Sequence, residues 1–193
     1  MSYNFFAYMA RMKLIRRWSL MKSVSEENIA EHSAQVAQIA HALALIKNRM
    51  FGGSLNVDKI TSAALYHETS EVLTGDLPTP IKYYNPEIRT SYKNIEKTAN
   101  NKLISMLPAE LQDDYRELIE LPSDSYEHML IKAADKISAY IKCIEEMRSG
   151  NREFAKAEAA LKKEVKAYCV HEEVAYFVDT FIDTFKKTLD ELE

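Results

Sequence analysis

The sequence predicts an all-α protein, on three observations. Apolar residues recur at intervals of three and four along most of the chain, the spacing that lines one face of a helix. Only four glycines and five prolines interrupt it, too few for the many tight turns of a sheet protein. Residues that favour helix starts, Asn28, Asn56 and Ser123-Asp124, stand before apolar periodic runs. A chain of 193 residues can bury a substantial core and still be one unit, so residues 1–193 are read as a single compact domain.

The elements follow in order. Phe5, Phe6, Met9, Met12 and Leu14 give the first segment an apolar side, predicting a helix from Phe5 to Arg16. Asn28 followed by Glu31 has the form of a capping box, and Ile29, Val36, Ile39, Leu43 and Ile46 then repeat to about Arg49, before Gly52-Gly53. Asn56 starts a shorter buried helix through Val57, Ile60 and Ala64 that reaches His67-Glu68. The run from Thr74 to Pro80 is expected to break the helical path, because both its prolines lack an amide proton and Gly75 suits a left-handed cap. Helices are predicted from near Glu87 to before Pro108, from Ala109 to Glu120, and from Ser125 to about Ser149, the last capped by Ser123 and Asp124. Two amphipathic helices fill the remainder. No internal repeat and no Pro, Gly or Ser-rich linker divides the chain.

Composition narrows the function. With 47% hydrophobic and 28% charged residues the chain is globular in character rather than disordered. A formal charge of -4 argues against nucleic acid, which demands a basic face, and points to a small-molecule partner. Cys143 and Cys169 lack metal-type spacing and are read as reduced thiols of a cytoplasmic protein. The first residues are interrupted by Arg11 and Lys13 and do not form a signal peptide, and no apolar run has bilayer length, so no membrane partner is expected.

Helical phase then singles out polar groups on core-facing stripes. His32 lies three residues after Ile29 and four before Val36, whereas His41 is half a turn out of phase and should face solvent. His67 and Glu71 continue the stripe of Ile60 and Ala64, with Glu68 beside them. Asp135 shares a second stripe with Ile131, Ala139 and Cys143 on a helix whose other face is Met129, Leu130, Ala133, Ile137, Ile141 and Ile144. A helix apolar on two sides is central, and its aspartate is expected to be buried. A lone buried carboxylate costs several kcal/mol unless paired, protonated or bound to a cation. Two inward imidazoles with inward acids suit a first-row divalent metal.

Taken singly, each residue has a plainer reading. A core-facing histidine is more often a hydrogen-bonded structural group than a ligand, and Asp135 alone fits a helix-linking ion pair equally well. Lys13, Arg16, Arg17 and Lys22 around Trp18 suit a helix C-terminus. They equally suit an arginine that grips phosphate beside an aromatic wall. His128 and His171 fall near helix starts and receive no role.

Five stretches carry a family resemblance. NIAEHSAQVAQIAHAL holds His32, LYHETSEVLTGDLPTPIKYYN holds the His67-Glu68 pair, and IKAADKISAYIKC holds Asp135. Their order resembles the His, His-Asp, Asp series of the HD-domain metal phosphohydrolases. RMKLIRRWSLM, IKNRMFGG and GDLPTPIKYYN resemble the bacterial 5'-deoxynucleotidase branch specifically, over about residues 3–154. The resemblance implies an all-α domain of the HD type, usually a homodimer. It implies that phosphate is removed from deoxyribonucleoside 5'-monophosphates with one divalent cation, cobalt, manganese, zinc, nickel or iron. By matching position the metal ligands are His32, His67, Glu68 and Asp135. Of these, His32, Glu68 and Asp135 also border substrate. Arg17 orients the phosphate, Trp18 lines the sugar, Asp76, Leu77, Pro78 and Thr79 border the nucleotide, and Glu71 works on the attacking water, with Arg17 and Asp76 counted among the catalytic groups.

One position departs. The family has His-Asp where this chain has His67-Glu68, and the extra methylene moves a carboxylate further than metal geometry ordinarily tolerates. Two alternatives therefore stand beside the leading expectation: a phosphohydrolase of the same superfamily acting on another nucleotide, or a nucleotide-binding domain with impaired catalysis.

Overall fold

In a computed structural model, residues 2–82 and 84–193 are described, with the side chain of Thr79 outside the described set. Helix α1 (Phe5–Met9) and a 3₁₀ turn (Met12–Leu14) lead into α2 (Ile29–Met50). The Asn28 side chain accepts the Glu31 amide at 3.0 Å and Glu31 accepts the Asn28 amide at 3.2 Å, closing the expected capping box. Lys47 and Arg49 stand in the last turn, where cations complement the helix dipole. Then come α3 (Val57–Leu65), capped by Asn56, and two single-turn helices, α4 (Glu71–Thr74) and α5 (Thr79–Lys82). Helices α6 (Pro86–Ile104), α7 (Ala109–Ile119), α8 (Tyr126–Arg148), α9 (Ala155–Tyr168) and α10 (Glu172–Phe181) complete the order. Among the described residues the only β pairing is a single bridge between Arg16 and Asn28.

Helices α2 and α8 form the centre. Val36, Leu43, Ile60, Leu130, Ile137, Ile141 and Phe154 are all fully buried in one cluster that α3, α9 and α10 cover. Each such aliphatic side chain contributes roughly 1.5–3 kcal/mol. A smaller cluster of Phe5, Leu103 and Leu107 packs α1 against α6. The two stripes expected for α8 are present, since Leu130, Ala133, Ile137 and Ile141 on one side and Ile131, Ala139 and Cys143 on the other are all buried. His41 is exposed and both cysteines are free, as expected. Among the described residues no helix is long and apolar enough to cross a membrane.

Four expectations need correction. The first helix stops at Met9 rather than Arg16, because the Arg17 amide and the Ile15 carbonyl pair with Glu27 and Ile29 instead of with their own helix. On that apolar side Phe6, within α1, and Leu14, beyond its end, are exposed. Helix α3 ends at Leu65, so His67 and Glu68 lie on the irregular turn after it. The expected break at 74–80 is interrupted by α5, where Pro80 sits in the first turn and loses no intrahelical hydrogen bond. Ser125, not Ser123 or Asp124, caps α8, accepting the His128 amide at 3.1 Å.

A buried ion pair ties the segment before α2 to α8. Glu146, 1% exposed, accepts Lys142 Nζ at 2.5 Å, Asn151 Nδ2 at 2.7 Å and the Val24 and Ser25 amides. Lys142 in turn donates to the Ser25 carbonyl. Burial raises the Glu146 carboxyl, but Lys142 and the other donors outweigh it and hold it at about 2. A depressed carboxyl stabilises the fold above its unfolded value near 4.5 and loses that stability as pH falls toward 2. Acid titration monitored by circular dichroism is therefore expected to show Glu146→Gln losing less stability than the unaltered chain between about pH 4.5 and 2, a gap of roughly 3 kcal/mol.

Candidate functional site

His32 on α2, His67 and Glu68 on the turn after α3, and Asp135 on α8 converge. Each offers one ligand atom, and these atoms lie within 4.8 Å of one another. Helical phase places His32 and Asp135 there, while the turn that ends α3 swings His67 and Glu68 toward them. The extra methylene of Glu68 does not exclude its oxygen from the cluster.

The protonation of the imidazoles follows from their outer partners. His67 Nδ1 donates to the Ala64 carbonyl at 2.7 Å, which leaves Nε2 a bare lone pair; that atom is buried with no hydrogen-bond partner. His32 Nδ1 lies 3.1 Å from Ser138 Oγ, whose own proton goes to Gln35 Oε1 at 2.6 Å. The Ser138 oxygen therefore accepts, Nδ1 carries the proton, and His32 Nε2 faces Asp135 Oδ1 at 3.1 Å. A lone pair against a carboxylate is repulsive unless a cation stands there, either a proton or a metal. Two bare nitrogens and two carboxylates, oriented by outer hydrogen bonds, fit a first-row divalent ion.

Electrostatics agree with that fit. Burial pushes His67 down to about 4, so it is neutral at pH 7, the form that binds metal. Burial raises Glu68, yet His67 and Lys132 outweigh it and bring the carboxyl to about 2. With His67 neutral, the charges of Lys132 and Lys82 favour the ionised form of Glu68. Asp135 is likewise held well below the usual carboxylate range, its close approach to His32 and the Lys132 charge outweighing burial. Glu71 goes the other way. Burial first, then the charge and hydrogen bond of Glu68, raise it to about 10, and its Oε2 is buried without a partner.

A cavity of about 410 Å³ opens over this cluster. Glu68, Glu71 and Asp135 line its polar end together with Arg17, Asp76 and the lysines Lys82 and Lys132. Trp18, Leu77 and Pro78 line it as expected; His32 is fully buried and does not, and the side chain of Thr79 lies outside the described residues. Burial opposes the charge of Arg17, but Glu27, Asp135, Glu68 and Asp76 around it outweigh burial and keep the guanidinium protonated. Burial also raises Asp76, against the pull of Arg17. Ala139, Ala157, Ala160 and Leu161 add apolar lining, beside the Lys136–Glu164 ion pair.

Sequence reasoning missed several of these groups. Ala157, Ala160 and Leu161 repeat at helical spacing, a signal that marks a buried face but not a cavity wall. Lys82 and Lys132 sit three residues from named positions but carry no pattern of their own. Glu27 is the largest omission, and its partners lie nine and ten residues upstream, just past the end of the expected first helix.

Comparison with known proteins adds three findings. A family model described as "5'-deoxynucleotidase YfbR-like" matches residues 4–185, well past residue 154 where the sequence resemblance faded. A 5'-deoxynucleotidase of Vibrio cholerae is 56% identical over 190 residues, covering 98% of this chain and 97% of its own. One from Pectobacterium atrosepticum is 52% identical over 193 residues, covering 98% and 95%. Among solved structures, an HD-domain phosphohydrolase from Listeria innocua superposes with a TM-score of 0.83 at 25% identity, over 94% of this chain and 88% of its own. An HD phosphohydrolase of cyanophage S-2L, bound to dA and one catalytic Zn2+, shares the fold with a TM-score of 0.66 at 19% identity, over 92% and 96%.

Proposed function

The chain belongs to the YfbR-like family of 5'-deoxynucleotidases, and from that premise we propose that it hydrolyses deoxyribonucleoside 5'-monophosphates to the deoxynucleoside and inorganic phosphate at this cavity. The observation that carries the reading is the pair of imidazoles whose Nε2 atoms face two carboxylates at the polar end of a cavity that also holds Arg17.

His32, His67, Glu68 and Asp135 would hold one divalent ion, of the manganese, cobalt, zinc, nickel or iron type for this donor set. Such an ion supplies Lewis acidity at phosphate and lowers the pKa of water. The remaining work belongs to the chain's own residues. Arg17 binds two phosphate oxygens through its planar fork and offsets charge as the phosphorus–oxygen bond breaks. Asp76, electrostatically linked to Arg17, borders the nucleotide with Leu77, Pro78 and Thr79. Glu71 accepts a proton from the attacking water. Two of the four causes that raise Glu71 belong to Glu68, so neutralising Glu68 moves Glu71 toward that role. Trp18 forms a wall that offers a 2'-hydroxyl neither room nor a partner.

We read residues 1–193 as one HD-type domain acting as a homodimer in the cytoplasm. The family match over 4–185 supports the first. Exposed Tyr3, Phe6 and Leu14 supply an apolar surface that a second copy would cover, and the unpaired thiols of Cys143 and Cys169 suit a reducing compartment. The test of function is phosphate release from matched deoxy- and ribonucleoside 5'-monophosphates with added manganese or cobalt. Release from the deoxy series, at least ~10-fold above the ribo series, is expected; no release with any divalent ion overturns the reading.

A further inference from the structure

We propose that Glu27 is the positioning residue that sets Arg17 and Trp18 against the substrate as one unit, so that phosphate orientation and sugar discrimination depend on a single carboxylate oxygen. The inference rests on the roles given above to Arg17 and Trp18. Glu27 Oε2 accepts Arg17 Nε at 3.1 Å and Trp18 Nε1 at 2.8 Å. The Arg17 and Glu27 side chains are each only 12% exposed, so these bonds form where water competes weakly. Binding through Nε fixes the guanidinium plane and leaves the two terminal nitrogens for a phosphate.

The backbone at this point needs such a hold. Trp18 has φ +58, the left-handed region that a bulky aromatic rarely occupies, at a cost of order 1–3 kcal/mol. A conformation of that kind persists only where its surroundings over-determine it. They do so on each side. The Arg17 amide donates to the Glu27 carbonyl at 3.0 Å and the Ile29 amide to the Ile15 carbonyl at 3.0 Å. The Trp18 carbonyl accepts the Met21 amide at 2.8 Å, and its ring lies 5.3 Å from that of Phe154. Beyond it, Asn151 donates to the Lys22 carbonyl at 2.7 Å, and Glu146 takes the Val24 and Ser25 amides.

Within this framework Glu27 contributes nothing to the cap of α2, which Asn28 and Glu31 complete between themselves. Both of its side-chain hydrogen bonds end on residues of the cavity wall. Its other oxygen stands 3.9 Å from His32 Nδ1, so an effect through the metal cluster is the rival route that a test must separate.

The test compares Glu27→Ala and Glu27→Gln with the unaltered chain on deoxyadenosine and adenosine 5'-monophosphates. It adds Arg17→Ala, the Arg17→Ala/Glu27→Ala double variant, metal content and tryptophan emission. Trp18 is the only tryptophan, so emission reports the ring directly. Glu27→Ala is expected to lower kcat/KM on the deoxynucleotide about 100-fold, the scale of an ångström of misplacement. The deoxy to ribo ratio should narrow at least about fivefold, emission should shift to the red, and metal content should not change. Glu27→Gln, which keeps the size and one acceptor, should fall between. In the Arg17→Ala background Glu27→Ala should cost less than about threefold more, since residues acting through one contact are not additive.

Activity within twofold of the unaltered chain for both Glu27 variants overturns the proposal. So does a loss that tracks metal content while the sugar ratio stays fixed, or full additivity with Arg17→Ala. If the unaltered chain releases no phosphate, it is the assigned function that fails. Emission then decides the Glu27 contact alone, and an unshifted Trp18 in Glu27→Ala overturns it.

Discussion

Replacing His67 with alanine is expected to lower phosphate release by more than about 10³-fold and to remove the bound metal, because several kcal/mol of charge stabilisation depend on the ion. The prediction has a structural reading besides activity. His67 Nε2 is buried with no hydrogen-bond partner, and burial holds the ring neutral, its pKa pushed to about 4. The imidazole therefore carries a desolvation cost that only a cation repays. In metal-free protein His67→Ala trades that orphaned nitrogen against a small packing void, so its Tm should stay near that of the unaltered chain. Adding manganese or cobalt should raise Tm in the unaltered chain and leave the variant unmoved, since a ligand stabilises only the state that binds it. His41→Ala is the internal control: same helix as His32, exposed face, no expected change in either readout. An equal metal-induced Tm rise in His67→Ala would remove His67 from the ligand set.

That contrast between His32 and His41 was legible from periodicity, because the phase of a helix is a local property and a 22-residue helix carries it unbroken between them. Asp135 was legible for the same reason on α8. What periodicity could not deliver were the features set by pairing between distant segments. The chain from Met12 to Asn28 reads as helix and then linker, yet it is held by a bridge from Arg16 to Asn28, by Glu27, and by Glu146 more than a hundred residues on. Lys142 falls between two apolar stripes and looks like a solvated charge, but it is 5% exposed and neutralised by Glu146. The motif RRW implies roles for Arg17 and Trp18; only the fold tells what holds them. Likewise the residues of α9 that close the cavity belong to the part of the chain where the sequence resemblance was weakest.

Glu71→Gln is expected to separate catalysis from stability, because the two should move in opposite directions. The amide keeps the shape of the carboxyl but cannot take a proton from water, so kcat should fall about 10²–10⁴-fold with KM little changed, the signature of a lost general base. Stability follows from the raised pKa. Burial, with the charge and hydrogen bond of Glu68, lifts Glu71 from 4.5 to about 10, so folding at pH 7 forces it to bind a proton that the unfolded chain does not carry. For a carboxyl raised in this way, stability is highest below about pH 4.5 and declines as pH climbs toward 10. At pH 7 the cost approaches roughly 3 kcal/mol, from 1.36 kcal/mol per unit above 4.5. Metal-free Glu71→Gln should therefore unfold later in urea than the unaltered chain at pH 7, with the gap closing near pH 4.5. A variant that loses turnover and stability together would mean that Glu71 is a structural carboxyl; one that gains stability and keeps turnover would mean that another group takes the proton. The expected pair, slower and more stable, is what an active-site acid held against its own solvation produces.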